Sequence, residues 1–406
     1  MGSLFRVLSC IVVLSTSSCA WDDADTPSEV RLGVSRSDAL ESQTVEQSPH
    51  GHVELTRHAL SYPFTTVEPP IPGGIAGGEK AFFVGSPLEG RVIVFSRASG
   101  QPIAELPQPP GHLILPLILH AIGPNRIAVL DCGGFPAPGT TDVTPTIYEY
   151  EYSFSGGSFS AELVRTVSFA GTRIGFAEEF VYLGAGRYLV PDSVYGAIWR
   201  VASDGSILPG IVPESYEPED AIPEMVYCPT MPVVTVGGLP FLFTGATIPG
   251  VAGIAERNGT VYFYSSCAAA LYKFPLAVLA DRRRPWERAD SIERIAGKPS
   301  HVEVEELLDM QFNPFDTSDS HLYAADALQL QLIRIDTRTG EREVLGKDPY
   351  LYNFPSSLAF LPPLSRLKPA PLLVLSNQQH RDPLLNSEVP ADLTQPPYVI
   401  TAVQLR

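Results

Sequence analysis

Two short segments put a carboxylate into an otherwise apolar run: "FAEEF" carries Glu178 and "LDMQF" carries Asp309. A carboxylate among apolar residues is costly unless water, a hydrogen bond or a ligand compensates it. Such a group also holds its proton more tightly than usual, which suits it to general-acid work such as protonating a departing hydroxyl. Both segments read as strands pointing toward a common axis, so Glu178 and Asp309 are the expected catalytic pair. His112, His120, Glu256 and Ser356 are the polar groups placed to reach the same space, and Phe176 and Phe312 would wall it. Phe176 and Phe312, taken singly, fit core packing as well as they fit a pocket. No G-x-S-x-G elbow, H-E-x-x-H, C-x-x-C or phosphate-loop motif occurs. No cofactor is therefore expected, and no metal.

The elements that must position these residues recur along the chain. An apolar run ending in a small or acidic residue, then a turn and a second apolar run, begins at Ala81, Arg126, Arg187, Thr260, His321 and Pro371. The spacing of about 45–75 residues suits the four-stranded blades of a propeller with loop insertions. Six such units predict an all-β fold, a six-bladed β-propeller of four-stranded antiparallel blades over residues 52–406. Ring closure removes the exposed strand edges that an open array would leave. "HVELTRHAL" at 52–60 and "PYVITAVQL" at the C-terminus are expected to pair and close the ring. Asp131, Asp192 and Asp326 end the first run of their units, where an aspartate usually caps a turn by accepting backbone N–H bonds.

Several of these phrases resemble the gluconolactonase/strictosidine-synthase-like superfamily. They are "GRYLVPDSVYGAIWRVASDG", "NGTVYFYSSCAAALYKFPL" and "LDMQFNPFDTSDSHLYAADALQLQLIRIDTRTGE". The resemblance covers roughly residues 65–400 and implies the same fold. In the metal-dependent lactonases of that group a glutamate, asparagines and an aspartate bind a divalent cation at the top of the channel. Asp309 falls where the aspartate is expected, and Glu68 stands for the glutamate. The asparagine position is taken by Ala177 beside Glu178, so a cation that wants several converging oxygens lacks one of them. The signal and the ending "PLLVLSNQQHR" also look like fungal secreted members, including the hetero-Diels–Alderases that join a tropolone quinone methide to a humulene-type alkene. That likeness implies a metal-independent cyclase. A metal-dependent lactonase and a non-catalytic binding propeller are the alternatives.

Composition sets the surroundings. A formal net charge of −17 repels nucleic acid and anionic membranes, leaving small apolar organic molecules as the expected partners. "MGSLFRVLSCIVVLSTSSCA" reads as a signal peptide over 1–20, followed by a flexible polar lead-in at 21–51. With the sequon at Asn258, this implies a glycosylated protein of the secretory pathway or the extracellular space. Removal of the signal leaves Cys132, Cys228 and Cys267, for which a Cys228–Cys267 disulfide and a free Cys132 are expected.

Overall fold

Six four-stranded sheets, each strand paired antiparallel with its sequence neighbour, surround a central channel in the computed structural model. The structure describes residues 59–67, 71–135, 143–217, 220–225, 233–242, 250–266, 268–295, 305–365 and 369–405. Strand β1 (Ala59–Val67) opens the chain of described elements. Blade one comprises β2 (Ile75–Gly77), β3 (Ala81–Ser86), β4 (Arg91–Ser96) and β5 (Pro102–Glu105). Blade two is β6 (Pro116–Gly123), β7 (Arg126–Asp131), β8 (Thr146–Ser155) and β9 (Ser158–Ser168). Blade three is β10 (Val181–Tyr182), β11 (Tyr188–Asp192), β12 (Ala197–Val201) and β13 (Ile207–Ile211). A two-stranded hairpin, β14 (Val234–Val236) and β15 (Leu239–Phe241), precedes blade four. Blade four is β16 (Val251–Arg257), β17 (Thr260–Ser265), β18 (Ala270–Pro275) and β19 (Glu293–Arg294). Blade five is β20 (Leu307–Phe312), β21 (His321–Asp326), β22 (Gln331–Asp336) and β23 (Arg342–Lys347). Blade six takes β24 (Pro355–Phe360), β25 (Leu372–Ser376) and β26 (Tyr398–Leu405), and β1 completes it by pairing with β26.

The six repeated phrases coincide with the second strands of the six blades, and in four of them with the third strand as well, so the predicted architecture holds. Of the expected closing segment, residues 52–58 lie outside the described residues; from Ala59 the register runs from Ala59↔Leu405 to Val67↔Tyr398. Both ends of the propeller are thereby held in one sheet, which removes an open edge.

Burial explains why the blades stay in a ring. Each of the six blade–blade interfaces holds its own apolar cluster. Leu130, Ile147 and Val167 of blade two meet Phe176, Tyr188 and Trp199 of blade three. Phe82 and Val84 of blade one meet Leu373 and Ile400 of blade six. The other four interfaces repeat the pattern. Near the axis the inner strands approach so closely that side chains must be omitted. A Cβ on Gly74 would stand 2.7 Å from the Leu117 carbonyl oxygen, and one on Gly253 2.9 Å from Met310 Cγ.

Polar ties join the same neighbours. Glu149, on β8 and almost wholly buried, accepts from Arg126 at 2.5 Å and from Arg165 at 2.8 Å. Arg165, on the outer strand of blade two, also donates to the Gly186, Ala202 and Ser203 carbonyls of blade three. The β14–β15 hairpin leaves its place between blades three and four and packs Val236 and Phe241 on Ala327, Leu328 and Phe354. Asn386 fixes it there, accepting from Leu242 N at 3.1 Å and donating to Pro240 O at 2.9 Å. Among the described residues no helix is long and apolar enough to cross a membrane.

Candidate active site

The channel opens at two mouths, an upper one at the leading ends of the inner strands and a lower one at their trailing ends. The upper cavity encloses about 780 Å³ counted out to solvent. Leu117, Glu178, Ala252, Leu308 and Ser356 come to it from five successive blades, and Gly73 from the first. Four of these positions share a local cause. The pairing of the inner strand with its neighbour is irregular at Leu117 on β6, at Ala252–Gly253 on β16, at Leu308 on β20 and at Ser356 on β24. An extra residue in a strand bends it and re-aims a side chain. Repeated at one level around the ring, the device turns four side chains into the mouth.

Blade three reaches the mouth differently. The "FAEEF" segment is not a paired strand; only Val181–Tyr182 beyond it joins the sheet. Asp192, at the end of β11, holds the unpaired stretch in place by accepting from Gly175 N at 2.9 Å and Phe176 N at 3.2 Å. It also accepts from Val194 N and Tyr195 N. Ser193 adds both its N–H and its hydroxyl to the Phe176 carbonyl. Thus anchored, consecutive glutamates face opposite ways: Glu178 lines the upper cavity, while Glu179 points deeper and is 1% exposed. Asp131 and Asp326 perform the same tethering in their blades, through Ile114 N and Leu115 N and through Glu306 N. All three aspartates are therefore structural, as their positions in the repeat predict.

Glu178 is the one ionisable group among the described residues lining the upper cavity. Ile71, Leu117, Ile118, Phe135, Phe176 and Leu308 make its surroundings apolar, with Ser356, Asn377 and Gln379 as the polar exceptions. Burial pushes the Glu178 carboxyl up to about 8; the nearby Ser193 hydroxyl opposes this, and the charges of Glu179 and Asp192 reinforce it. At neutral pH the group is mainly a carboxylic acid, able to donate.

Asp309 departs from expectation. The irregularity in β20 places Leu308, not Asp309, in the upper cavity. Asp309 is 1% exposed and turns sideways to blade six, accepting on Oδ2 from Leu358 N at 2.7 Å and Ser357 Oγ at 3.0 Å. Burial and the Glu179 charge raise it to about 7. His120 belongs to the lower mouth, with Gln311, Phe315 and Phe360, and bonds Glu179 Oε1 at 2.6 Å through Nε2. Phe176 and Ser356 do line the upper cavity.

The remaining expected residues stand outside both cavities. His112 is exposed on the loop before β6 with a φ of 63°. Glu256 sits at the trailing end of β16 and accepts from Gly259 N at 2.6 Å, closing the turn to β17. Phe312 packs edge-on to Tyr262, its ring centroid 5.3 Å away, beneath the Arg257 guanidinium. Asn258 lies exposed at the tip of the β16–β17 turn. Cys132 is a free, buried thiol that donates to Ala177 O at 2.9 Å. Cys228, Cys267, Glu68, the signal peptide and the lead-in fall outside the described residues.

Leu117, Leu308, Asn377 and Gln379 were not singled out by sequence reasoning. The last two follow β25 within the "SNQQHR" phrase, one and three residues past Ser376, which ends the second strand where other blades carry their tethering aspartate.

Among the described residues, the mouth offers a divalent cation one carboxylate, Glu178, with the Ser356 hydroxyl and the amide oxygens of Asn377 and Gln379, whereas a hard cation takes six or more oxygens. Among the described residues no three His, Cys, Asp or Glu side chains gather as a metal site requires.

No protein-family model and no curated sequence matches the chain. Solved structures do: a gluconolactonase from Xanthomonas campestris has 11% identity and a TM-score of 0.49, over 86% of this chain and 90% of that one. A luciferin-regenerating enzyme has 10% identity and a TM-score of 0.48, over 83% and 92%. A calcium-binding regucalcin from Agrobacterium tumefaciens has 13% identity and a TM-score of 0.47, over 84% and 96%.

Proposed function

We propose that this propeller is a metal-independent small-molecule enzyme in which Glu178, at the upper mouth, acts as a general acid on an apolar organic substrate. The observation that carries the reading is the placement of Glu178 as the one ionisable group among the described lining residues, between apolar walls and two amide side chains, where burial favours its acid form. Apolar walls exclude water and bind hydrocarbon surface, and a neutral acid holds its proton there at no charge cost until an oxygen takes it.

The reaction assigned is hetero-Diels–Alder cyclisation. Glu178 gives its proton to the hydroxyl of a hydroxymethyl tropolone, the C–O bond breaks and water departs. The Glu178 carboxylate then takes the ring hydroxyl proton, which yields the quinone methide and restores the acid. A humulene-type alkene held against the walls adds across the new diene, forming one C–C and one C–O bond. Holding two apolar partners in register replaces much of the entropy cost of their encounter. Asn377 and Gln379, which line the cavity, are assigned the role of hydrogen-bonding the tropolone oxygens.

The test is product formation from these two partners with chelator present, beside a panel of lactones. Turnover of the pair should survive chelation, and Glu178→Gln should lose roughly 10²–10⁴-fold in kcat with a melting temperature at neutral pH no lower than the wild type's. Calcium-dependent lactone hydrolysis with no cyclised product would replace this reading by the lactonase.

A further inference from the structure

Below the upper cavity lies a cluster that the proposed reaction does not use. Glu179 Oε1 is engaged by His120 Nε2 at 2.6 Å and by Phe180 N at 2.8 Å. Asp309 Oδ2 is engaged by Leu358 N and Ser357 Oγ. The second oxygen of each carboxylate, Glu179 Oε2 and Asp309 Oδ1, is enclosed without a hydrogen-bond partner. Two ionised carboxylates sharing a dry space with one imidazole would leave an uncompensated charge, which such an environment does not tolerate.

The wiring of His120 is definite. Gln311 Nε2 donates to Leu358 O at 2.6 Å and presents its other hydrogen toward His120 Nδ1, 3.4 Å away. Nδ1 therefore faces a donor and carries a lone pair in the neutral ring, which puts the proton on Nε2, facing Glu179. The His120 side chain is 17% exposed and borders the lower cavity, so the ring lies between solvent on one side and Glu179 on the other. The groups facing the cluster are these three, with Gln311, Ser357, the Phe180 ring edge-on to the imidazole, Cys132, and Glu178 beyond the next peptide.

We propose that Glu179 and Asp309 hold one proton between them and that His120 exchanges it with solvent at the lower mouth, making the channel a proton store behind Glu178. A proton from the lower mouth enters at His120 Nδ1, displacing the Gln311 amide, and the Nε2 proton passes to Glu179. The return path reverses both steps. The store itself stands apart from the reaction assigned above; its link to Glu178, through the charge on the adjacent residue, rests on that reading.

The experiment is a ¹⁵N titration of the His120 imidazole in the substrate-free protein, which needs no assay of turnover. In the wild type His120 should titrate above its ordinary range. Asp309→Asn, which keeps the shape and the acceptor for Leu358 N, should lower the His120 midpoint by about one pH unit. Glu179→Gln should lower it at least as far and should also lower the Glu178 carboxyl midpoint, followed by ¹³C. If Asp309→Asn does not fold, Ser357→Ala serves: it removes a donor to ionised Asp309 and should move His120 the same way. A His120 midpoint indifferent to Asp309 and Ser357 overturns the shared proton. A Glu178 midpoint indifferent to Glu179→Gln overturns the link, leaving the acid reading of Glu178 intact.

Discussion

Glu178 and Glu179 are neighbours of the same type with opposite fates, and one peptide's alternation separates them. Glu178 turns to the upper cavity and keeps some access, while Glu179 turns inward and bonds His120. Chemistry at the upper mouth thus depends on a single titration. Because Glu178 is raised to about 8, the acid form prevails below that pH and disappears above it. Turnover should therefore hold level from pH 6 to 7.5 and fall tenfold per unit beyond about 8. The rate–pH profile checks this; a limb near pH 4.5 would mean an ordinary exposed carboxyl. The sequence exposes Glu178 because a carboxylate inside "FAEEF" conflicts with burial. It does not reveal that Asp309 is turned away, since a one-residue irregularity reverses which side chain faces the axis.

At the scale of elements, second strands were legible throughout, while of the two inner segments read as strands "LDMQF" is one, β20, and "FAEEF" is not. The second strands are unbroken apolar runs ending in a residue that tethers the chain 16–20 residues upstream, as Asp131, Asp192 and Asp326 do. Such a run carries both its length and its stop signal. The inner strands carry bulges or, in blade three, no regular pairing, and so lack the period that identifies a strand. Contacts between blades were invisible for another reason: their partners lie far apart in sequence. Arg165 is the clearest case. It serves buried Glu149 and three carbonyls of the next blade. Arg165→Met should destabilise the propeller by ~3 kcal/mol, leaving Glu149 with half its compensation. Urea unfolding should show a lower midpoint with an unchanged slope.

For the whole molecule, closure through β1 and β26 makes one sheet out of both ends, and six interblade clusters make one body out of six sheets. Several carboxyls are buried within it above their ordinary range, chiefly by loss of water. Glu178 lies at about 8, Asp309 and Asp326 at about 7 and Asp192 at about 6. The folded protein therefore binds more protons than the unfolded chain from about pH 4 up to these values, and stability falls as pH rises through that range. Buried His380, lowered to about 3, acts in the opposite direction but only below its ordinary value near 6.5. Above pH 6.5 His380 no longer opposes the carboxyls, and His120, which despite its burial is raised by its Glu179 partner, acts in the same direction as they do. The melting temperature should drop by several degrees across that interval, and a calorimetric series at constant ionic strength would show it. A flat or rising profile would mean that these carboxyls are solvated.

Everything assigned to the upper mouth depends on Glu178 remaining protonated there. The direct measurement is the ¹³C carboxyl titration of that one residue, identified by difference against Glu178→Gln. A midpoint near 8 is the result predicted. A midpoint near 4.5, the ordinary glutamate value, would contradict the account, because the mouth would then hold a solvated anion in place of an acid.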